Sequence, residues 1–218
     1  MSTKNSRSIS GLRAGDAIVG IDFRPANNKL YALTNNAGTG RLYTINTSTG
    51  AATLVSTLAA DAADTTAPFP FTALSGTDFG IDFNPAVDRL RVVSDADQNL
   101  RINVDTGRTQ LDVPLNFAAG DANAGDNSNV VGSGYTNSSM GAPNPPAPAA
   151  PTRSTTLYGI DSGQDVLVIQ DPPNAGTLAS QGSLGVNLSG VIGFDIAPSD
   201  NTPVVITSES GTVRMYSP

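Results

Sequence analysis

Three aspartates hold the same place in three similar hexapeptides: Asp22 in "GIDFRP", Asp82 in "GIDFNP" and Asp195 in "GFDIAP". Each carboxylate stands between two large apolar residues. In an extended strand successive side chains point to opposite faces, so each aspartate leaves the face that carries its apolar neighbours. Grouped carboxylates can share a proton for acid–base chemistry, hold a hard cation such as Ca2+ through oxygen, or accept backbone N–H groups as structural ties. Repetition favours the tie, because a catalytic group is needed once and a tie is needed in every repeat.

Two further stretches are rich in oxygen ligands. "SDADQN" at 94–99 sets Asp95, Asp97 and Asn99 at alternate positions, like the start of an EF-hand loop. Leu100 then takes the place of the required Gly and Thr106 that of the bidentate Glu, so the stretch reads as a hairpin turn. "GDANAGDNSN" at 120–129 is the better calcium candidate, with Asp121, Asn123, Asp126 and Asn129 as ligands. Asx-rich turns have the same composition without a metal, and no other cofactor is expected.

Composition removes most other chemistries. There is no Cys and no His, which excludes disulfides, thiolate and imidazole metal sites, cysteine nucleophiles and the Ser-His-Asp triad. Eighteen of the 19 acidic residues are Asp, and no spacing singles out a carboxylate pair for glycoside hydrolysis. The expectation is therefore a protein that is not an enzyme, with an aspartate-based glycan-active enzyme as the third reading. A net charge of −7 argues against nucleic acid as partner. No apolar run is long enough to span a membrane, and the first eleven residues lack the apolar core of a signal peptide.

The elements that position these aspartates follow from internal repetition. "GIDFRPANNKLYAL" at 20–33 returns as "GIDFNPAVDRLRVV" at 80–93, identical at seven of 14 positions. Each copy leads into further short apolar runs separated by turns, with Ile45-Asn46 and Thr49-Gly50 matched by Ile102-Asn103 and Thr106-Gly107. The runs are β-branched and aromatic with turn residues at both ends, which predicts strands. Four strands in about 50 residues is the pattern of a propeller blade.

The fold predicted is all-β: one β-propeller domain of about four four-stranded blades, roughly 13–58, 77–115, 128–184 and 190–218. The last unit has three strands, and "RSISGL" at 7–12 is the expected donor of its fourth, closing the ring. The third unit carries "GSGYTN" where its siblings carry the aspartate. Two insertions interrupt the pattern. One, at 59–76, contains Phe69 and Phe71; the other, around Pro145, Pro146 and Pro148, favours extended polyproline II. Both are expected to be contact surfaces for a protein partner or a second subunit.

The stretches "FGIDFNPAVDRLRVVSDADQNLRINVDTG", "GDANAGDNSNVVGSGYTNS" and "TTLYGIDSGQDVLVIQDPPNAGTL", in this order, resemble the bacterial domain-of-unknown-function family 4394. The resemblance implies a propeller-like repeat and an exported or surface location, and supplies no catalytic residues to carry over. The leading functional expectation is a protein-interaction or structural module, with carbohydrate as a second partner class. The alternative is a propeller that binds an ion or small ligand in its central channel or its Asp/Asn-rich loops.

Overall fold

Turn chemistry cuts the chain into strands. Asn28, Asp88 and Asn201 take φ of 53–60° between the first and second strands of their units, a left-handed conformation that Asn and Asp tolerate best. The computed structural model describes residues 6–65, 67–145, 149, 151–188, 192–209 and 212–217. Its strands are β1 (Ala17–Arg24), β2 (Lys29–Asn36), β3 (Thr39–Ile45), β4 (Ala52–Thr57), β5 (Ala59–Ala60), β6 (Phe79–Asn84), β7 (Arg89–Ser94), β8 (Asn99–Ile102) and β9 (Arg108–Leu111). They continue as β10 (Asn116–Phe117), β11 (Val130–Tyr135), β12 (Leu157–Asp161), β13 (Val166–Gln170), β14 (Thr177–Ser183), β15 (Ile192–Ile196), β16 (Pro203–Glu209) and β17 (Thr212–Tyr216).

These strands make four small sheets arranged as a four-bladed β-propeller. The first blade is β1-β2-β3-β4; the second and third read β5-β9-β8-β7-β6 and β10-β14-β13-β12-β11; the fourth is β15-β16-β17. Within each blade successive strands are antiparallel, whereas β5 and β10 add in parallel to the outer strands β9 and β14. The first strands pack in sequence around the axis, β1 on β6, β6 on β11 and β11 on β15.

Three junctions between blades are filled by apolar side chains. The largest cluster joins the first two blades through Tyr31, Leu33 and Leu42 on one side and Phe79, Phe83 and Leu90 on the other. Val93, Phe117, Val130 and Val168 fill the second junction, and Ile160, Phe194 and Val205 the third. A fully buried Leu or Phe contributes roughly 1.5–3 kcal/mol, so these junctions hold the ring together.

The expected ring closure requires correction. Ser10 does not extend the fourth blade; it bridges in parallel to Ala51, donating to the Gly50 carbonyl at 3.1 Å and accepting from the Ala52 N–H at 2.7 Å. The same bond recurs at Ala59 onto Gly107 (3.0 Å) and Asn116 onto Gly176 (2.9 Å). Each is the segment that crosses from one blade's outer strand to the outer strand of the next. Ser10 therefore stands at a crossing, and the described part of "RSISGL" adds no strand to the fourth blade. Among the described residues β17 is the edge of a three-stranded sheet.

Candidate functional site

Strand register puts the repeated aspartates on the inner strands, pointing forward to the next blade. Asp22 Oδ2 accepts the Phe83 N–H of β6 at 2.8 Å, and Asp82 Oδ2 accepts the Tyr135 N–H of β11. Both are ties between a blade and its successor. The third blade departs from the pattern for a steric reason: a Cβ on Gly134 would sit 2.9 Å from the Phe194 ring and 3.0 Å from Ile196. Apolar packing holds the third junction in place of a carboxylate.

The two tied carboxyls also act on each other. Burial, followed by repulsion from Asp22, pushes the Asp82 carboxyl well above the carboxylate range. Both effects favour the protonated form of Asp82, and Asp22 is pushed up to about 6, chiefly by burial with a further push from Asp195. Asp195 is likewise raised by burial and accepts its own neighbour's N–H, from Ile196, at 2.7 Å. All three aspartates thus face one axis and sense one another. Among the described residues, though, no three acidic side chains are placed to share a metal ion.

The junction between the fourth and first blades differs from the other three. In the second blade Ile81 and Phe83 are 8% and 0% exposed; in the first, Ile21 and Phe23 are 55% and 49% exposed. The receiving positions tell the same story. A Cβ on Gly20 would meet Ile81 at 2.8 Å, on Gly80 the Gly132 backbone at 2.6 Å, and on Gly132 the Phe194 Cβ at 2.8 Å. On Gly193 it would meet only Ile206, in its own sheet, at 3.8 Å. A cavity of about 400 Å3 on the axis is lined from all four inner strands, with Ile21, Ile81, Gly132 and Phe194 among its residues, and Ile9 also lines it. At the outer side of the fourth blade β17 presents an edge with exposed Val213 and Met215.

The remaining sequence candidates are scattered. Asp121 accepts the Ser180 N–H and hydroxyl, both at 2.7 Å, and the Asn123 N–H at 2.9 Å, while Asn123 Nδ2 donates to the same hydroxyl at 2.9 Å. These bonds clamp the loop to β14 and hold the Asp121 carboxyl below the usual range, the Asn123 N–H first among the causes. Asn129 lies elsewhere, its N–H on Asp161 Oδ2 at 2.9 Å, and Asp126 is exposed. The loop thus brings Asp121 and Asn123 together but not all four.

The two phenylalanines of the first insertion part company. Phe69 is 54% exposed, as a contact residue should be, whereas Phe71 is 6% exposed within the first junction's core. Its expected role as a contact is therefore corrected: it packs with Leu58 and Leu74 and anchors the link. Of the prolines, Pro145 is exposed, and Pro146 and Pro148 lie outside the described residues. The described flanks of this insertion fold back on the first two blades through Gly141 N–H to Pro25 O (3.0 Å) and Asn144 N–H to Ala86 O (2.8 Å).

Sequence reasoning missed the arginines. Arg24 is buried, and its guanidinium forks onto Asp88 at 2.6 and 2.8 Å and onto Asp105 at 2.7 and 2.9 Å, locking the first blade to two turns of the second. Arg24 occupies the variable position of the hexapeptide, so no repetition flags it. Arg91 and Arg101 share the buried Asp112 inside the second blade. The only available signal was strand position: an arginine between apolar residues, as in "LRV" and "LRI", must find a partner.

A family model described as Domain of unknown function (DUF4394) matches residues 1–217. No curated protein matches the chain. The chain belongs to the DUF4394 family.

Proposed function

We propose that this DUF4394 propeller is a non-enzymatic interaction module, working without a cofactor, that captures an extended strand of a partner protein at its open junction. The observation that carries the reading is the exposure of Ile21 and Phe23, whose counterparts Ile81 and Phe83 are covered by the neighbouring blade. An added strand on β17 would give the fourth blade the four strands of its siblings. Backbone hydrogen bonds along an edge supply affinity, and side-chain pockets supply choice of partner. Unpaired apolar edges are otherwise avoided because they recruit other chains.

The non-enzymatic part of the reading rests on how the carboxylates are spent. Asp22 and Asp82 close inter-blade bonds inside the ring, and Asp121 closes a loop. A glycosidase needs a carboxyl pair facing a substrate cleft, one as acid and one as base or nucleophile.

The test uses a labelled peptide of residues 51–60, "AATLVSTLAA", whose core pairs with β3 in the first blade as the captured strand would pair with β17. Saturable binding to the full chain, abolished by Met215→Pro in β17, is expected, because Pro cannot serve a strand ladder. Absence of saturable binding, or binding unaffected by the Pro variant, would overturn the proposal.

A further inference from the structure

One cleft departs from the rest of this acidic protein. A cavity of about 410 Å3 opens between the second and third blades, lined by Arg89, Arg91, Arg101, Gln110, Tyr135 and Asn174 among others, with no acidic residue in its lining. Three of the protein's ten arginines meet here, in a chain of net charge −7. The volume is at the lower end of the range for small-molecule sites.

Register explains the convergence. Asp82, Arg91, Arg101 and Gln110 pair directly across β6, β7, β8 and β9, so their side chains form one row on one face of the second blade. The matching row of the first blade is Asp22, Tyr31, Thr44 and Thr53, and that of the third is Gly134, Tyr158, Ile169 and Ala179. Two sister blades build the same fold without a charge at the second, third or fourth place. The arginine row is therefore not required by the propeller, and burying charged groups there costs desolvation.

The donors are held ready rather than used up. Arg91 is fixed by Asp112 (2.7 Å), Asn99 (2.7 Å) and Asn174 (2.8 Å) and forms the rigid floor. Arg101 forks onto Asp112 through Nε and Nη2 at 2.7 and 2.9 Å, which leaves Nη1 outside that fork. Arg89, exposed at the rim, gives Nη1 to the Asp88 backbone carbonyl at 3.0 Å and makes no other hydrogen bond among the described residues. The side-chain amide of Gln110 has no hydrogen-bond partner among the described residues. Asp112 offsets one of the three positive charges, Asp64 adds its field at Arg101, and Asp105, itself forked onto Arg24, adds its field at Arg89. The cleft keeps a positive excess, with amides from Gln110 and Asn174 placed to bind hydroxyl groups.

We infer that the cleft between the second and third blades is a binding site for a small hydroxylated oxyanion, held by Arg89 and Arg101 over the Arg91 floor. Carboxylate and phosphate share this chemistry, since both present oxygens that a guanidinium fork binds in pairs. The site is distinct from the open junction and stands on different residues.

Isothermal titration of the full chain at low ionic strength tests it with three probes: glucuronate, glucose 6-phosphate and uncharged glucose. Saturable heat with at least one of the two anions and none with glucose is expected, and the responding arm identifies the anion. Arg89→Gln and Gln110→Leu should each weaken binding about tenfold, the loss expected for a charge-assisted or buried hydrogen bond. Arg7→Gln, far along the chain on an exposed segment, should leave it unchanged. No saturable heat with either anion overturns the inference, and so does binding that Arg89→Gln and Gln110→Leu leave intact.

Discussion

Asp22 reaches across the first junction and accepts the Phe83 amide N–H at 2.8 Å, so the aspartate of one blade is bonded to the apolar residue that follows the aspartate of the next. The same bond runs from Asp82 to Tyr135. One residue thus fixes both the spacing and the relative height of two blades, and it does so where strand hydrogen bonding cannot, because the blades are separate sheets.

The raised carboxyls of Asp22 and Asp82 make stability depend on pH. Both folded-state values lie above the ordinary 3.8, with Asp22 at about 6. The folded chain then binds more protons than the unfolded one, so this contribution is complete below about pH 4 and is lost as pH rises through 6. Asp82→Asn should remove the share of the dependence that belongs to Asp82 and keep the fall of Asp22 near 6. Its amide oxygen can accept the Tyr135 N–H and its NH2 can donate to ionised Asp22, reproducing the protonated acid at every pH. Thermal melts at pH 4.5 and pH 7.5 should show wild type losing several degrees and Asp82→Asn losing fewer. Equal slopes in the two proteins would contradict the raised Asp82 carboxyl.

Arg24 should be the costliest charged residue to remove. Its Asp88 partner is largely buried, so Arg24→Ala leaves a carboxylate without compensation and should cost roughly 3 kcal/mol in urea unfolding. Asp105→Asn should cost about 1 kcal/mol or less, because that side chain is mostly exposed. The reverse order would show that the lock resides on the Asp105 side.

The repeated "GIDF" made the blades and their ties legible, because a fixed period in sequence becomes a fixed rotation in space. Residues outside the period were not legible. Phe71 sits in a link that has no strand alternation, so nothing in its neighbours signals that it turns inward. The "RSISGL" segment has the look of an outer strand and is a crossing: Ser10 corresponds to Ala59 and Asn116, a match visible in backbone bonds and hidden in side chains. Arg24, Arg91 and Arg101 find their partners across turns and blades, and pairings at that sequence distance leave no local mark.

Asp121→Ala should destabilise the third blade by about 1–2 kcal/mol, because it removes the acceptor of the Ser180 N–H and hydroxyl and of the Asn123 N–H. The loss should be the same in calcium and in chelator, since the carboxylate is occupied by protein donors. A calcium-dependent loss, read from paired thermal melts, would show instead that the loop takes a cation.

The open junction supplies its own internal control. Gly80 and Gly193 occupy equivalent positions, yet a methyl on Gly80 would lie 2.6 Å from the Gly132 backbone, while one on Gly193 would meet only Ile206 at 3.8 Å. Backbone cannot swing aside as a side chain can, so Gly80→Ala should force two blades apart and cost roughly 2 kcal/mol or more. Gly193→Ala should be close to neutral. Phe83→Asp and Phe23→Asp form the matching pair: the first buries an unpaired charge in the core, and the second adds a charge to a half-exposed surface. Urea unfolding should therefore find Phe83→Asp severely destabilised and Phe23→Asp near wild type. If Phe23→Asp and Gly193→Ala proved as damaging as their counterparts, the fourth and first blades would be packed against each other in solution, and no room would remain there for a partner strand.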